Sequence, residues 1–520
     1  MSTLRLFLIP ILCVFAFGAS AHAQGTTRVS VDSNGQLSNA GSASSAVTPE
    51  GRFVVFVSEA DNLVASDTNG LQDVFVHDRL KGFTTRVSVD SAGLEANGVS
   101  GHSSISDDGR YIAFESVASN LVVGDTNATD DVFVHDRSTG MTTRVSISSA
   151  GLEANQYSRS PSISADGRRI AFLSRASNLD VRASVGFSDV FVHDTVLGLT
   201  EAASVSPGST PNGPSASPSI SGNGKVVTFN SAASNLVLND TNTSVDVFTR
   251  SLGRTARTER ISVDSAGVEA NAGSSAPSIS FDGKLVAFHT MASNLVASDL
   301  NGLADVFVRD RLAQTTEIVS VDSLGVQADG HASMAKISAD GLTVVFSSVA
   351  TNLVAGDTNG VEDVFLHDRN SATTLRTSVS SAGVEGRRPS FGAAVSADGR
   401  YVSYTSRSRS AHEHIFFRDR FAPCLTKLGS CPGPITLTVY GGTIGDDIAI
   451  AYGQAGYYVK PSPPCQGIEL GIEVPVFAVL TPTFNSGKAS VNFMAPIGAC
   501  GITFQAVDVA SCKVSNPIVL

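Results

Sequence analysis

The feature that most constrains this chain is a short segment that recurs through most of its length. Asp73–Arg79 reads DVFVHDR, and related segments return six more times, the last in degenerate form. The central aromatic residues are Phe75, Phe133, Phe191, Phe248, Phe307, Phe365 and Phe416, so successive spacings are 58, 58, 57, 59, 58 and 51 residues. A fixed period of this length indicates a solenoid, a propeller or another repeat array.

Each repeat contains four short runs of β-forming residues and no helical periodicity. In the second repeat the runs are Ser103–Ser106, Arg110–Ser116, Asp131–Arg137 and Thr142–Ile147, with a turn at Asp107–Gly109. The fourth run alternates, which predicts an outer strand with Val145 and Ile147 on one face and Arg144 and Ser146 on the other. Four-stranded units repeated radially form a β-propeller.

The two ends of the repeat region predict that the propeller is closed. The region opens on Thr26–Val31, which has the sequence of a fourth strand with no third strand before it. The last repeat has its first three strands, at about Ala393–Ser396, Tyr401–Ser406 and Ile415–Arg420, but lacks a fourth. The opening strand therefore completes the last blade, which removes an exposed sheet edge.

The motif Ser-x-Asp-Gly-Arg-x-x-x-Phe-x-Ser occurs at Ser164–Ser174 and, with tyrosine at the aromatic position, at Ser396–Ser406. Together with the Asp-Val-Phe-Val-x-Asp strand, it resembles the repeat of TolB-like or WD-like β-propellers. The resemblance covers roughly residues 26–420 and implies a fold rather than a function. The sequence thus predicts an all-β protein: a seven-bladed propeller over 24–421, followed by a small β-sandwich-like domain.

The longest connections of the repeat are expected on one face. The connection between the second and third strands and the connection between blades are both long, whereas the other two are tight turns such as Asp340-Gly341. Alternate connections of an up-and-down blade share a face, so this loop-rich face is the candidate functional surface.

The loop between the second and third strands carries an Asp-x-Asn-Gly-x-x-Asp pattern. Full copies are Asp67/Asn69/Asp73, Asp299/Asn301/Asp305 and Asp357/Asn359/Asp363; copies without the glycine are Asp125/Asn127/Asp131 and Asp240/Asn242/Asp246. Oxygen ligands at this spacing around a glycine resemble the Ca²⁺ loops of integrin-type propellers, so the full copies are candidate calcium sites. The alternative is an Asx-turn, in which the side chains bond their own backbone. The third repeat, with Asp180 and Asp189, and the seventh have lost the pattern.

Two further repeated positions carry polar residues. The loop between blades contains Glu95/Asn97, Glu153/Asn155 and Glu269/Asn271, read either as a ring of acceptors for a cation or sugar or as a solvated loop. A second position holds His77, His135, His193 and His367, where other repeats have Arg250, Arg309 and Arg418. Exchange of histidine for arginine argues against catalysis and favours a structural pair with a neighbouring carboxylate such as Asp78.

The ends of the chain differ from the repeats. Residues 1–23 read as a signal peptide: Arg5, an apolar run Leu6–Phe17 and a small-x-small site at Ala21–Ala23. No later apolar stretch is long enough to predict a transmembrane segment. Residues 422–434 read as a Cys-, Pro- and Gly-containing linker and 435–520 as a small β-domain. Cys424, Cys431, Cys465, Cys500 and Cys512 cluster there, which predicts disulfides.

These features favour an exported protein, in the periplasm, at the cell surface or secreted. The net charge of −12 and the lack of a basic run argue against a nucleic-acid partner. The chain has no serine-hydrolase elbow, P-loop or zinc-protease motif, so no catalytic residue is assigned. The leading hypothesis is a binding or scaffold protein that contacts a protein or glycan, stiffened by Ca²⁺. The alternative is an extracellular or envelope hydrolase or lyase for peptide or polysaccharide, signalled by a non-repeated cluster in the central channel.

Overall fold

The computed structural model describes residues 25–253, 255–381, 383–407 and 412–420 with their side chains, and beyond residue 423 it describes only the backbone of strands. All described elements are β-strands, and the described part contains no helix able to cross a membrane. The chain divides into two compact units, one of them Gly25–Phe421 and the other containing Ala422–Leu520. The predicted signal peptide lies outside the described residues.

The unit Gly25–Phe421 is a propeller of seven four-stranded antiparallel sheets. The first strand is β1 (Thr26–Arg28). Blade 1 is β2 (Ser42–Val47), β3 (Phe53–Ser58), β4 (Asp73–Asp78) and β5 (Phe83–Arg86), and blade 2 is β6 (Ser100–Ile105), β7 (Tyr111–Ser116), β8 (Asp131–Asp136) and β9 (Met141–Arg144). Blade 3 is β10 (Ser158–Ile163), β11 (Arg169–Ser174), β12 (Asp189–Asp194) and β13 (Leu199–Ala202), and blade 4 is β14 (Ser215–Ile220), β15 (Val226–Ser231), β16 (Asp246–Ser251) and β17 (Thr258–Arg260). Blade 5 is β18 (Ser274–Ile279), β19 (Leu285–Thr290), β20 (Asp305–Asp310) and β21 (Thr315–Ile318), and blade 6 is β22 (Ala332–Ile337), β23 (Thr343–Ser348), β24 (Asp363–Asp368) and β25 (Thr373–Arg376). The last three strands are β26 (Ser390–Val395), β27 (Tyr401–Arg407) and β28 (Glu413–Asp419).

The predicted closure of the ring is confirmed. Blade 7 has the strand order β1-β28-β27-β26, so its outer strand comes from the start of the propeller. Thr26 pairs with Arg418, Thr27 with Phe417 and Arg28 with Phe416. The seven sheets therefore close on one another without an open array end.

The core of blades 1 to 6 is built on a pair of phenylalanines, one from the second strand and one from the third, and blade 7 has Tyr404 and Phe416 at these positions. Phe56 and Phe75 stack with ring centroids 6.0 Å apart, and five further blades repeat this pair at 5.8 to 6.1 Å. Both rings are fully buried. Burial of each ring stabilises the fold by about 1.5–3 kcal/mol, which explains why the spacing of this aromatic residue defines the repeat.

The Asp-Gly turns also build the contacts between blades. Gly109 has φ +69°, which favours glycine, and a Cβ there would lie 2.2 Å from a ring atom of Phe53 in the preceding blade. Arg137 covers the other part of that ring, with its guanidinium carbon 4.5 Å from the centroid, and donates to the Gly109 carbonyl at 2.7 Å. The glycine of the turn thus makes room for the neighbouring blade.

The fourth strand is shorter than the predicted run Thr142–Ile147. The strand β9 stops at Arg144, and both Val145 and Ser146 are buried. The chain turns inward here because the Ser146 hydroxyl donates to the buried Asp131 carboxylate and accepts from the Val132 amide at 3.1 Å. The polar Ser146 is therefore buried at the end of the blade's outer strand.

The second unit contains two antiparallel sheets. Its strands are β29 (Cys424–Leu428), β30 (Gly433–Tyr440), β31 (Ile448–Val459), β32 (Glu469–Leu480), β33 (Lys488–Ala495), β34 (Thr503–Asp508), β35 (Lys513–Val514) and β36 (Ile518–Val519). One sheet has the order β29-β30-β33, and the other has β32-β31-β34-β35 with β36 also on β34. The all-β nature of this region was predicted, but β29 lies within the segment 422–434 predicted as a linker, because its five residues pair with β30. Cysteine pairing lies outside the described side chains.

Candidate functional site

The two long loops of a repeat meet on one face of the propeller, as predicted, and bond to each other in blades 1, 2, 4, 5 and 6. In blade 1, Thr68 lies in the loop between the second and third strands and Glu95 lies in the connection to blade 2. The Thr68 amide donates to Glu95 Oε2 at 3.0 Å, and the Thr68 hydroxyl donates to Glu95 Oε1. This loop-bearing face, formed by the loops between second and third strands and by the connections between blades, is the candidate functional surface.

Beneath these loops lies a cluster of three carboxylates around one arginine. Arg86 Nη1 lies 3.3 Å from Asp67 Oδ1, 3.4 Å from Asp73 Oδ2 and 2.9 Å from Glu95 Oε2. The side chains of Arg86, Asp67 and Asp73 are all at least nine-tenths buried. Equivalent clusters are Arg144 with Asp125, Asp131 and Glu153; Arg260 with Asp240, Asp246 and Glu269; and Arg376 with Asp357, Asp363 and Glu385.

The asparagine of the loop motif forms the Asx-turn that was the alternative to a metal site. Asn69 Oδ1 accepts from the Leu71 amide at 2.7 Å. Its Nδ2 donates to Asp73 Oδ2 at 2.9 Å and to the Ala96 carbonyl at 3.0 Å. Asn127, Asn242, Asn301 and Asn359 make the same set of bonds in blades 2, 4, 5 and 6. The side chain therefore joins both loops to the third strand.

The cluster places its carboxylates in different electrostatic environments. Burial raises the pKa of Asp67 to about 6; Arg86 lowers it, and Asp73 and Glu95 raise it. Burial also raises the pKa of Asp73, against hydrogen bonds from Ser88 and Asn69. Hydrogen bonds from Thr68 hold the pKa of Glu95 below its ordinary value, with help from Arg86. The arginine thus offsets the cost of burying two aspartates side by side.

Blade 5 builds the same junction without an arginine. Ile318 stands where blade 1 has Arg86, and Gln327 stands where it has Glu95. Gln327 Nε2 donates to Asp299 Oδ1 and to Asp305 Oδ2, each at 2.8 Å, while its Oε1 accepts from the Leu300 amide at 3.0 Å. Both aspartates are buried. A neutral amide therefore joins these two carboxylates where a cation does so elsewhere.

The predicted calcium sites share their aspartates and asparagines with these clusters. In blades 1 and 6, which contain Asp67/Asn69/Asp73 and Asp357/Asn359/Asp363, a guanidinium contacts both aspartates and the asparagine presents its NH₂ group to the second. Ca²⁺ requires six to eight oxygen ligands, so the residues of these two blades do not fit the ion as they stand. Blade 5, with Asp299, Asn301 and Asp305, has no such guanidinium among its described residues. Calcium binding there stays a prediction.

The repeats that lack the motif close their loops in other ways. In blade 3, Asp180 pairs with Arg182 at 2.6 Å and accepts from the Ala202 amide at 2.9 Å. Asp189 accepts from the amide and hydroxyl of Ser184, each at 2.6 Å. In blade 7, His414 replaces the aspartate of the third strand, and its Nδ1 lies 3.1 Å from the Ser38 hydroxyl.

The asparagine and glutamate of the connection between blades tie loops together rather than forming a ring of free acceptors. The Asn97 amide donates to Asn120 Oδ1 at 3.0 Å, and the Ser119 amide donates to Asn97 Oδ1 at 2.9 Å. Asn120 Nδ2 donates to the Glu95 carbonyl at 2.8 Å. Asn155 and Asn271 repeat these bonds, and Glu153 and Glu269 bind their blade's arginine.

The repeated histidine is structural, as predicted, but its partner is not the neighbouring aspartate. His77 Nδ1 lies 2.9 Å from the Thr84 hydroxyl, whereas Asp78 binds Arg52 at 2.7 Å. Burial lowers the pKa of His77 to about 4, with Arg79 lowering it further. The predicted pairing overlooked the fourth strand, which lies beside the third and supplies the threonine. Arg250, Arg309 and Arg418 donate to the equivalent Thr258, Thr316 and Thr26.

A non-repeated pair of titratable groups lies on the inner strands of blade 2. His102 Nδ1 lies 2.8 Å from Glu115 Oε1, and Glu115 Oε2 accepts from the Ser160 amide of blade 3 at 2.7 Å. The hydrogen bond to Glu115 raises the pKa of His102, against burial. His102 belongs to the innermost strand, β6, where a β-bulge interrupts the pairing. The pair brings an imidazole and a carboxylate, the usual groups of general acid–base chemistry, into hydrogen-bond contact.

The tips of three loops carry exposed aliphatic residues that were not predicted as functional. Val123, Val181 and Leu238 occupy the same loop position in blades 2, 3 and 4 and are 104%, 99% and 86% exposed. Blades 1, 5 and 6 have alanine there. The signal was present in the sequence as a large apolar residue after Ser-Asn-Leu-x in three consecutive repeats.

Comparisons with known proteins concern the fold. No family model and no curated protein matches the chain. Among solved structures, it is similar to an acylaminoacyl peptidase (13% identity, 78% of this chain, 58% of that chain, TM-score 0.46). It is also similar to a putative TolB from Agrobacterium tumefaciens (13% identity, 65% of this chain, 93% of that chain, TM-score 0.36). A third match is a puromycin-hydrolyzing peptidase of Mycobacterium tuberculosis (11% identity, 78% of this chain, 60% of that chain, TM-score 0.43).

The chain spans about three fifths of the length of these two peptidases. Similarity at this level carries no argument about activity. The pairing of the strands itself shows that Gly25–Phe421 is a seven-bladed β-propeller, and its repeat motif resembles that of TolB.

Proposed function

We propose that the chain is an exported binding protein that holds a partner on its loop-bearing face. The observation that supports this proposal is the combination of fixed loop bases and exposed apolar loop tips. Each base is held by buried side-chain bonds, as in the contacts of Arg86 and Asn69 described above. Loops that do not have to be ordered on binding lose little conformational entropy when a partner docks.

The arrangement of the tips supports a protein partner. Val123, Val181 and Leu238 place large aliphatic groups on three consecutive blades, and Val185 adds another that is 85% exposed. Exposed apolar side chains that are grouped on one part of a surface mark interaction sites in soluble proteins. A neutral glycan usually stacks on aromatic rings instead, and the chain contains no tryptophan. The apolar arc of blades 2 to 4 is therefore the proposed contact.

The test uses two triple variants of the full chain. Val123→Ser/Val181→Ser/Leu238→Ser changes the loop tips, and Leu80→Ser/Leu197→Ser/Leu312→Ser changes exposed leucines of the tight turns on the opposite face. Both variants should unfold at the same urea concentration as the unaltered chain, because the altered side chains are exposed. Capture from the exported fraction of the native cells should recover a partner with the opposite-face variant and lose it with the loop variant.

Two outcomes would contradict the proposal. One is capture of the same partner in equal amount by both variants. The other is hydrolysis of peptide or polysaccharide by the purified chain that is abolished by His102→Ala and unchanged by the loop variant. The second outcome would favour the enzyme alternative, with the His102–Glu115 pair as its site.

A further inference from the structure

The outer rim of blades 3 to 5 departs from the repeat in several ways that lie together in space. Blades 1, 2, 3 and 6 have a histidine near the end of the third strand, whereas the adjacent blades 4 and 5 have Arg250 and Arg309 and blade 7 has Arg418. The segment between the third and fourth strands is longer in blade 4, where residues 252–257 lie between the two strands, than in blade 1, where residues 79–82 do. The strand β17 that follows has only three residues. None of these changes is needed to build a blade.

The connection from blade 3 to blade 4 also lacks a contact that other connections make. A serine of the connection accepts the amide of a threonine in the next outer strand, as Ser91 does from Thr142 at 3.0 Å. The same bond joins Ser33 to Thr84, Ser149 to Thr200, Ser265 to Thr316 and Ser323 to Thr374. Pro207 stands at this position before blade 4 and cannot accept through its side chain. The connection is therefore not tied to the Thr258 amide in this way.

A groove of about 920 Å³ lies where these departures meet. Its charged lining residues are Arg182, Arg250, Arg257, Arg260, Arg309, Arg311 and Glu259. Three of the arginines are paired: Arg182 with Asp180 at 2.6 Å, Arg260 with Glu269 at 2.5 Å and Arg311 with Glu259 at 2.9 Å. Within the part of the chain that the structure describes, Arg250, Arg257 and Arg309 have no carboxylate within ion-pair distance.

Arg309 is the most unusual of these three. It is only 2% exposed, and its Nη atoms donate to the Asp264 carbonyl, the Thr316 hydroxyl and Gln314 Oε1 at 2.9 to 3.1 Å. Its Nε–H is buried and lacks an acceptor among the described residues. Arg250 has a single side-chain bond, from Nη1 to the Thr258 hydroxyl at 3.0 Å. A buried guanidinium with only neutral partners is costly, and an anion in the groove offsets that cost.

We propose that this groove binds an acidic oligosaccharide whose carboxylates pair with Arg250 and Arg257, while the positive charge of the buried Arg309 adds to the attraction. Guanidinium groups recognise carboxylates through paired hydrogen bonds. Between the arginines the lining offers Ser206, Thr258 and Gln314, which suit the hydroxyl groups of a sugar, and Glu259 as an acceptor. The groove is larger than a small carboxylic acid requires. On a chain with net charge −12, a basic groove also concentrates anions locally.

The other blades suggest substitutions that remove the arginines without disturbing the fold. Arg250→His/Arg309→His restores the residue that blades 1, 2, 3 and 6 already place beside the equivalent threonine, so the variant should fold normally. At pH 8 these histidines are neutral. The charge-matched control is Arg52→His/Arg110→His, which alters two partly exposed arginines outside the groove.

Binding is measured by calorimetry on the full chain with a hexameric oligogalacturonate, its fully methyl-esterified form, citrate and a hexaglutamate peptide. The oligogalacturonate should bind, the methyl ester should not, and the groove variant should bind at least about tenfold more weakly than the control. Absence of oligogalacturonate binding, equal binding of the ester, or equal affinity of groove variant and control would each overturn the proposal. Tighter binding of citrate or hexaglutamate than of oligogalacturonate would overturn the assignment to an oligosaccharide.

Discussion

Blades 1 and 5 join two buried aspartates at the base of their loops with different side chains. In blade 1, Asp67, Asp73 and Glu95 surround Arg86, so three carboxylates and one guanidinium give a formal charge of −2. In blade 5, Asp299 and Asp305 are joined by the Gln327 amide, and Ile318 fills the place of the arginine, which again leaves −2. The arginine and the glutamate have been exchanged together for neutral residues.

The difference teaches that this junction serves to close the loops onto the blade, and that a neutral side chain can perform that task. Gln327 reaches both aspartates of its blade at 2.8 Å, as short as the bonds that a cation makes elsewhere. Loss of the arginine alone would leave three carboxylates together with no cation among them. The two positions are therefore expected to change as a pair.

The largest expected effect comes from breaking the pair in blade 1. Arg86→Ile alone leaves three carboxylates together and should lower the free energy of unfolding by about 3–5 kcal/mol. Arg86→Ile/Glu95→Gln imitates blade 5 and should recover most of that loss. Urea unfolding of both variants provides the measurement, and an equal loss in the single and double variants would show that packing rather than charge holds the junction.

A smaller effect concerns calcium. Removing the guanidinium frees a set of carboxylates, which in the equivalent cluster of blade 2 have ligand atoms within 4.8 Å of one another. Arg86→Ile should therefore become more responsive to calcium than the unaltered chain, by about 2.7 kcal/mol at a hundredfold excess over Kd. Thermal unfolding with calcium or chelator measures this stabilisation. Asp299→Asn removes a carboxylate from blade 5 and tests whether that blade contributes to calcium binding. If calcium stabilises the unaltered chain and Arg86→Ile equally, the guanidinium does not compete with the ion.

The third effect is a change in pH dependence. The pKa of Asp67 is raised from 3.8 to about 6, so the folded state binds this proton more tightly than the unfolded state. Its contribution to stability is complete below pH 3.8 and is lost as the pH rises through about 6. In Asp67→Asn that loss is absent, so the free energy of unfolding should decline less between pH 4 and pH 6 than in the unaltered chain. Parallel slopes for the two proteins in urea unfolding across this range would contradict the assignment.

The smallest effect is expected from the reverse exchange in blade 5. Ile318→Arg/Gln327→Glu rebuilds the cluster of blade 1 and should change the free energy of unfolding by no more than about 1 kcal/mol, because the formal charge stays the same. Ile318→Arg alone places one cation beside Asp299 and Asp305 and is its control. A large loss in the double variant, measured by urea unfolding, would show that blade 5 is specialised for its neutral amide.

The sequence predicted the fold well because the repeat multiplies a weak local signal. A single DVFVHD run is consistent with many strands, but Phe75 and its six counterparts at regular spacing indicate one blade each. The unpaired strand at Thr26 likewise predicted closure, since every other copy showed what it lacked. The His77 position was correctly read as structural because arginine replaces it in other repeats.

The contents of the loop junction were harder to predict because its members are far apart in the chain. Arg86 lies on the outer strand and was not among the residues singled out from the sequence, although it contacts the aspartates of the preceding loop. Ser146 was placed on the same face as Arg144 by alternation, which does not register a hydroxyl that bonds a buried carboxylate. One signal was available: the repeat with Ile318 is also the repeat with Gln327, and joint replacement of a cation and an acid indicates contact.

The closure of the ring has a consequence for the order in which the propeller is made. Its opening strand, Thr26–Arg28, is synthesised first, but its partner Glu413–Asp419 emerges only near the end of the propeller. A ribosome-bound chain can assemble the first six blades from consecutive strands, but not the seventh. Until Glu413–Asp419 has been synthesised, Thr26–Arg28 has no partner strand and the ring remains open. Completion of the propeller is thus a late event, because its first strand, Thr26–Arg28, is the last to pair.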